Sequence, residues 1–394
     1  MSNSFFIEVK GELKNHENER ISGDVFLSKK IKEENRIIVV LSDGLGHGVK
    51  ANVLATLTAT MALNFTKEHK DFKKIAEIIM NTLPECNDRK INYSTFTIVD
   101  IEIAGETKIL QYDNPDPMVI RGNKQLPLEQ HTIVLEGERN AGKVLKSISF
   151  NPRKEDRIVL YSDGITQSGL GSKKYPFGWG IQKANDYALK LVNNASDISA
   201  QQLAYKMVSQ AYKNDSFHAK DDTSCVSIYY REPRKLLITT GPPYNEEKDH
   251  EFSEMVEKFD GKKIICGATT ADIVSRELKL DIEDSFQFTD NELPPVSYMK
   301  GIDLVTEGIL TLSKVAKILF DYNKSYTLGK GPADQIVRLI KNSDEIHFVI
   351  GTRINIAHQD PNLPVDLEIR RTVVKRIIGI LEDKFLKEVF VKYI

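Results

Sequence analysis

The pattern of apolar and polar positions predicts short buried strands and paired helices through the first 230 residues. Residues 35–41 and 157–161 are β-branched apolar runs and predict buried strands. Further strands are predicted at 94–103, 108–112, 118–121, 132–135, 144–150 and 225–230. Helices are predicted at 50–65, 72–82, 181–193 and 199–212. Runs of strands separated by pairs of helices predict an α+β layered domain.

The pattern changes after about residue 232. Five strand-like runs follow, at 236–241, 262–267, 303–308, 347–352 and 388–394. Helical segments lie between most of them, at 251–259, 270–278, 310–319 and 369–381. This alternation predicts an α/β domain with a mainly parallel sheet. We therefore predict two domains, 1–232 and 233–394.

Composition narrows the class of protein. The chain has 394 residues, and its 54 basic and 56 acidic residues nearly balance, which argues against a nucleic-acid binder with a basic face. The three cysteines, Cys86, Cys225 and Cys266, are far apart in the sequence, which suits a reducing compartment. No signal peptide or 18-residue apolar run is evident. We expect a cytoplasmic protein that binds neither membrane nor nucleic acid; its oligomeric state is open.

Acidic residues follow or precede the strongest strand runs. Asp43-Gly44 ends the run at 35–41, and Asp163-Gly164 ends the run at 157–161. Asp24 follows Ser22-Gly23, and the pair Asp221-Asp222 leads into the strand predicted at 225–230. Carboxylates without His or Cys favour hard cations such as Mg²⁺ or Mn²⁺. Each Asp-Gly alone is explained by a turn, whereas the four sites in this order predict a metal centre.

These motifs, together with Tyr93-Ser94-Thr95-Phe96, resemble those of PPM-type metal-dependent serine/threonine phosphatases, and the SpoIIE-type bacterial branch in particular. The resemblance covers about residues 20–231. It implies an α-β-β-α sandwich with a centre of two Mn²⁺ or Mg²⁺ ions, or three. The implied catalytic residues are Asp24, Asp43, Asp163 and Asp221. The implied metal ligands are these four residues, the Gly44 carbonyl and Asp222, because the register of the Asp-Asp pair is uncertain by one.

The same resemblance implies a reaction. A hydroxide bridging two ions would hydrolyse phosphoserine or phosphothreonine on a bacterial signalling protein, such as an anti-sigma-factor antagonist. Eukaryotic members carry a His directly after the first Asp-Gly, but this chain has Leu45 there. His47 is either the general acid or a residue of the turn that starts the next helix. The alternative function is a non-catalytic binding or scaffold protein on a degenerate phosphatase fold, against which the intact acidic set argues.

We recognise no well-characterised family in the second domain. Small and polar residues follow its strand runs, where parallel α/β sheets bind ligands. Gly267, Thr269 and Thr270 open a helix and predict a site for a small anionic ligand. Ordinary N-cap chemistry explains the same residues equally well. Neither a dinucleotide fingerprint nor a P-loop motif is present. We expect this domain to be a regulatory or ligand-binding module that controls the first.

Overall fold

The structure is a computed structural model of the 394-residue chain. It describes residues 5–68, 71–82, 94–103, 105–136, 140–323, 326–353, 366–385 and 387–394, with no side-chain description at 32 and 366–369. Tyr93 and Cys86 lie outside the described residues. The chain divides into two compact units, Met1–Glu232 and Pro233–Ile394. In the described part of the chain, no helix combines the length and apolar character needed to cross a bilayer.

The first unit is built from strands and helices of ordinary length. Its strands are β1 (Phe6–Lys14), β2 (Asp24–Ile31), β3 (Arg36–Gly44), β4 (Ser94–Glu102), β5 (Thr107–Tyr112), β6 (Met118–Arg121), β7 (Lys124–Gln125), β8 (Gln130–Val134), β9 (Val144–Phe150), β10 (Arg157–Tyr161) and β11 (Thr223–Arg231). Its helices are α1 (Gly48–Lys67), α2 (Phe72–Thr82), α3 (Asp163–Gln167), α4 (Ile181–Asn194) and α5 (Ala200–Asn214).

The strands of this unit form two antiparallel sheets. One sheet has five strands in the order β1-β11-β10-β6-β7, and the other has six in the order β2-β3-β4-β5-β9-β8. Apolar residues of both sheets share one buried cluster, which includes Val39 of β3 and Ile158 of β10. The two sheets therefore pack face to face.

Helices cover the outer faces of both sheets. Helices α1 and α2 share a buried cluster with the six-stranded sheet, and α4 and α5 share one with the five-stranded sheet. The layers are helix, sheet, sheet and helix, the α-β-β-α sandwich that the resemblance implied. Strand β3 is buried on both faces, which explains why its sequence is continuously apolar instead of alternating.

The sequence analysis missed strands β1, β2 and β7 and helix α3 of this unit. Strands β1 and β2 carry charged residues at several positions, so their apolar pattern is weak. The short helix α3 begins at Asp163, which we had expected at the end of a strand. Strand β10 stops at Tyr161, and the chain turns into the helix at once. This corrects the predicted setting of Asp163.

The second unit contains one seven-stranded sheet. Its strands are β12 (Lys235–Thr240), β13 (Lys262–Cys266), β14 (Ile282–Asp284), β15 (Ser297–Met299), β16 (Ile302–Thr306), β17 (Glu345–Ile350) and β18 (Glu388–Tyr393). Its helices are α6 (Asp249–Lys258), α7 (Ala268–Leu278), α8 (Ile309–Asp321), α9 (Pro332–Lys341) and α10 (Asp366–Asp383). The strand order is β14-β15-β16-β13-β12-β17-β18.

Five strands of this sheet are parallel, and β14 and β15 add an antiparallel edge. One buried cluster joins the sheet to α8, α9 and α10, and another joins it to α6 and α7. Helices thus cover both faces. The sequence predicted the parallel core but missed α9 and the short strands β14 and β15, which have only three residues each.

Candidate metal centre

Two of the predicted acidic residues face each other across neighbouring strands. Strands β2 and β3 are antiparallel, and their register places Asp24 directly opposite Asp43. Directly opposed residues project to the same face of a sheet. On its other side Asp43 is paired with Thr95 of β4. The start of β2 and the end of β3 therefore bring two carboxylates to one edge of the six-stranded sheet.

The five-stranded sheet supplies the other acidic residues. The Ser224 amide donates to Ser162 Oγ at 3.0 Å, and the Ser162 amide donates to the Ser224 carbonyl at 3.1 Å. These bonds join the segment after β10 to the start of β11. A Cβ on Gly164 would lie 2.2 Å from the Asp222 carbonyl oxygen, so only glycine fits there. The Asp163 turn and the Asp221-Asp222 pair are consequently held side by side.

The segment before Asp24 packs against this second group. A Cβ on Gly23 would lie 2.7 Å from Asp222 Oδ2 and 3.0 Å from the Cβ of Ala51 on α1. Burial raises the pKa of Asp43 well above its usual range, and the charges of Asp24, Asp163 and Asp221 raise it further. The fold thus brings together the four carboxylates that the sequence predicted.

Asp24 is the most buried of these groups. It is 1% exposed, and neither carboxylate oxygen has a hydrogen-bond partner among the described residues. Burial raises its pKa to about 7. The nearby Ser224 and Ser162 hydroxyls lower that pKa, although neither reaches hydrogen-bond geometry with the carboxylate. A carboxylate without a partner in such a place destabilises the fold unless it is protonated or neutralised.

Among the described residues, only one of the two carboxylate oxygens of Asp222 accepts a hydrogen bond. Its Oδ1 accepts from the His16 backbone amide at 3.0 Å, while its buried Oδ2 has no partner in the described part of the chain. Burial raises the pKa of Asp221 to about 6, and the charge of Asp163 raises it further. The sequence favoured Asp221 over Asp222 as the ligand. The unpartnered oxygen supports including both residues.

Asp163 interacts directly with Asp43. Burial raises the pKa of Asp163, while a hydrogen bond with the Asp43 carboxyl lowers it. Gln167 donates from Nε2 to Asp163 Oδ2 at 2.6 Å and orients the side chain. The strongest charges acting on these acidic groups come from other aspartates. The charge of Asp113, a residue that the sequence analysis did not identify, also raises the pKa of Asp163.

A divalent cation fits this set of donors. Among the described residues, no three His, Cys, Asp or Glu side chains converge into a finished cation cage. The donors are nevertheless all oxygens, and their charges repel one another. Asp24 and Asp222 also carry buried oxygens that have no hydrogen-bond partner among the described residues. Such oxygens are the ligands that Mg²⁺ and Mn²⁺ prefer. The set fits a hard cation by its chemistry, and convergence would need side-chain adjustment.

Gly44 brings helix α1 close to this centre. A Cβ at Gly44 would lie 2.1 Å from the Ala51 carbonyl oxygen, and the Gly44 amide donates to the Gly23 carbonyl at 3.3 Å. The close approach explains why the residue after Asp43 is glycine. That the Gly44 carbonyl also binds a metal stays a prediction.

His47 occupies the N-cap position of α1. Its side chain makes no capping hydrogen bond, and its Nδ1 lies 2.8 Å from Glu19 Oε1. Its ring stacks on that of His16, with centroids 4.3 Å apart. The location agrees with a residue that starts the helix, and a general-acid role stays a prediction. Sequence reasoning missed His16, because residues 15–20 form a polar loop without a recognisable motif.

Several solved structures resemble the chain. The phosphatase domain of SpoIIE from Bacillus subtilis is 16% identical over 59% of this chain and 95% of that chain, with a TM-score of 0.45. The RsbU and RsbW domains of Rv1364c from Mycobacterium tuberculosis are 15% identical over 64% and 67%, with a TM-score of 0.45. The catalytic domain of the serine/threonine phosphatase PstP, solved with two manganese ions, is 11% identical over 58% and 100%, with a TM-score of 0.36. No curated protein matches the chain.

The sequence profile of one family matches the first unit. The profile of Stage II sporulation protein E (SpoIIE) matches residues 33–231, which is half of the 394-residue chain. The match includes Asp43, Asp163, Asp221 and Asp222, whereas Asp24 precedes it. The chain therefore belongs to the SpoIIE family.

Proposed function

We propose that the chain is a divalent-metal-dependent phosphatase that hydrolyses phosphoserine or phosphothreonine on a bacterial signalling protein. The observation that carries the proposal is that Asp24, Asp163 and Asp221 lie close enough to Asp43 for their charges to raise its pKa. Both Asp24 oxygens are also buried and lack a hydrogen-bond partner among the described residues. Buried charges persist in proteins when they are paired or coordinate metals. Membership of the SpoIIE family is consistent with this activity.

The residues of the chain have separate tasks in this proposal. Asp24 and Asp43 are fixed by paired strands, and Asp163 is oriented by Gln167. Asp222 is anchored by the His16 amide and keeps one oxygen available. Together with Asp221 these side chains would hold two Mn²⁺ or Mg²⁺ ions, or three. Ions bound there would supply positive charge to the phosphoryl oxygens and activate water for attack on phosphorus. No protein nucleophile is required.

The substrate follows from the resemblance of the motifs. A phosphorylated anti-sigma-factor antagonist is the substrate class that we propose, because members of this branch act in such signalling. A purified phosphoprotein of this class and a free phosphoserine peptide would be compared at equal concentrations. Faster release of phosphate from the protein supports the proposal, and equal rates would contradict protein specificity.

The decisive experiment measures hydrolysis of p-nitrophenyl phosphate by the full chain. We expect activity with Mn²⁺ that EDTA removes and that Asp43→Ala lowers by about 100-fold or more, the scale of losing one electrostatic group in an active site. The control is Asp186→Asn, an exposed carboxylate of α4 whose Oδ1 accepts from Gln182. Activity that survives both chelation and Asp43→Ala would overturn the mechanism. Absence of activity with Mn²⁺ and Mg²⁺ would favour the non-catalytic scaffold.

Regulation by the second unit is a further part of the proposal. The Ala51 carbonyl of α1 lies against Gly44. A shift of α1 would therefore displace Gly44 and the neighbouring Asp43. A signal that moves α1 would thereby change the affinity for metal. The test compares Mn²⁺ affinity of the full chain with that of residues 1–232. Unequal affinities support regulation, and equal affinities count against this route.

A further inference from the structure

The second unit contains a cavity of about 240 Å³ at the carboxyl ends of three parallel strands. Strands β12, β13 and β16 end beside it, and helices α7 and α8 begin beside it. In parallel sheets this edge is where ligands bind, because backbone groups and helix N-termini converge there. The cavity lies within the second unit and shares no residue with the acidic centre.

Three glycines shape the wall of this cavity. Gly241 and Gly267 have φ angles of +82° and +118°, which residues with side chains rarely adopt. A Cβ on Gly241 would lie 2.5 Å from Nη1 of Arg370. A Cβ on Gly308 would lie 3.4 Å from the Cα of Gly267. The lack of a side chain at Gly241 therefore leaves room for Arg370 beside the end of β12, whereas a Cβ at Gly308 would make only an ordinary van der Waals contact.

Two buried threonines lie at the cavity. Thr240 and Thr270 both line it, and each is 1% exposed. No side-chain hydrogen bond of either threonine is found among the residues that the structure describes. A polar group of a ligand in the cavity would give both hydroxyls a hydrogen-bond partner.

The charged lining favours an anion. Arg370 is 7% exposed and lines the cavity, with Nη1 3.5 Å from the Gly351 carbonyl oxygen. The first turn of α7 begins at Ala268, and the amides of a first turn lack partners within their helix. Guanidinium groups and helix N-termini are both well suited to phosphate.

One lining residue is acidic, and it is already engaged. Glu307 Oε2 accepts from the Thr311 amide at 3.0 Å and from Thr311 Oγ1 at 3.3 Å. Glu307 therefore caps α8 and offsets the positive end of that helix. The corresponding residue before α7 is Cys266, which carries no carboxylate. The N-terminus of α8 thus has a neighbouring carboxylate that offsets its positive end, whereas the N-terminus of α7 remains suited to an anion.

We propose that this cavity binds a small phosphate-bearing anion. The phosphate would lie between Arg370 and the first turn of α7, and the hydroxyls of Thr240 and Thr270 would donate to its oxygens. The apolar side chains of Pro242 and Ile309 also line the cavity and would contact an organic group. The volume is below the ~300 Å³ at which pockets for drug-sized ligands begin. A phosphate or a small phosphomonoester fits this size better than a nucleoside triphosphate does.

The test is isothermal titration calorimetry of the full chain in EDTA. The probes are inorganic phosphate, glycerol 3-phosphate and, as an uncharged control, glycerol. We expect both anions to bind and glycerol not to bind. Tighter binding of glycerol 3-phosphate identifies a phosphomonoester site, and equal binding identifies a phosphate site. No heat from either anion up to about 10 mM, well beyond millimolar affinity, would overturn the proposal.

Variants assign the binding to this cavity. Thr270→Val and Arg370→Gln should each weaken binding at least ~10-fold, because each removes a hydrogen bond to a charged ligand. Thr270→Ser keeps the hydroxyl and should restore binding. Arg371→Gln, at an exposed neighbouring position, is the control. Unchanged affinity in both Thr270→Val and Arg370→Gln would contradict the proposal.

A last variant separates this cavity from the acidic centre. Asp43→Asn alters the first unit only, so anion binding should persist in it. Loss of binding in Asp43→Asn would mean that the anion binds the first unit and would overturn the proposal. Thermal melting of each variant identifies any that fail to fold, and the nearly isosteric Thr270→Val keeps the test valid if Arg370→Gln does not fold.

Discussion

The two units place their chemistry at the ends of strands in opposite ways. In the first unit, antiparallel neighbours bring the start of β2 and the end of β3 together, so that Asp24 faces Asp43. In the second unit, parallel neighbours bring only carboxyl ends together, and these end in glycine and threonine beside Arg370. The first arrangement gathers negative charge and suits cations. The second arrangement gathers donors and suits an anion.

This difference shows how burial and strand direction determine which charged and polar groups meet at the edge of a sheet. Antiparallel pairing lets acidic residues far apart in sequence share one edge, where each raises the pKa of another. Parallel pairing places backbone amides of following helices at one edge, where few side-chain charges are needed. The near balance of 54 basic and 56 acidic residues conceals this local contrast. Five experiments test the comparison further.

The largest effect on stability should come from filling a glycine in the first unit. Gly44→Ala should destabilise that unit by about 3 kcal/mol, because its Cβ would meet the Ala51 carbonyl oxygen at 2.1 Å. Denaturant unfolding followed by fluorescence of Trp179, the only tryptophan and a core residue of this unit, measures the change. Gly379→Ala is the control in the second unit, since nothing lies within 4 Å of its Cβ, and its unfolding is followed by far-ultraviolet circular dichroism. It should be neutral or slightly stabilising, and similar losses in both variants would contradict the argument.

Mn²⁺ should stabilise the first unit. At a concentration 100 times its dissociation constant, one bound ion adds about 2.7 kcal/mol to the free energy of unfolding. The midpoint of Trp179 fluorescence should therefore move to higher denaturant with Mn²⁺ and return with EDTA. Asp24→Asn and Asp43→Asn should lose most of this response, while Asp186→Asn keeps it. A full response in both site variants would show that the ion binds elsewhere.

Without metal, Asp24→Asn should stabilise the chain instead of destabilising it. In EDTA at pH 8, Asp24→Asn should raise the free energy of unfolding by roughly 1–3 kcal/mol, because it removes a buried unpartnered charge and leaves a less costly amide. The same variant in saturating Mn²⁺ should be less stable than the natural chain. A destabilised Asp24→Asn in EDTA would show that the Asp24 carboxylate has a stabilising partner.

The pH dependence of the metal-free chain has a definite sign. Burial raises the pKa of Asp24 from 3.8 to about 7, so the folded state binds more protons than the unfolded state between these values. Stability should therefore fall as pH rises from about 4 to 7 and level off above. Asp24→Asn should flatten this slope in a urea titration followed by Trp179 fluorescence. A slope unchanged by the variant would assign the effect to other groups.

The smallest effect should come from His47. Its side chain is half-exposed and contacts Glu19 and His16, and it makes no capping bond to α1. We expect His47→Ala to change the free energy of unfolding by less than ~1 kcal/mol, as for an exposed ion pair. Its rate with p-nitrophenyl phosphate should stay within a few-fold of that of the natural chain. A much larger loss of rate at unchanged stability would restore the general-acid hypothesis.

The sequence predicted the elements correctly where buried positions form a continuous or periodic apolar pattern. Strands β6, β9 and β10 and helix α2 begin and end where the pattern predicted. Strands β1 and β2 were missed because their polar positions interrupt the apolar run, and α9 was missed although its apolar face is buried. The cavity residues Gly267 and Thr270 were predicted, whereas Arg370 lies about 100 residues later and carries no motif. Only the fold joins them.

The sequence by itself determined the acidic residues, the glycines that follow two of them, and the change from layered to alternating elements near residue 232. These features are local, since they depend on periodicity and on residues adjacent in the chain. Tertiary structure alone decided that Asp24 faces Asp43, that His16 holds Asp222, and that Arg370 reaches the end of β12. Strand register and helix packing set those distances, and both arise from the burial of apolar surface across the whole unit.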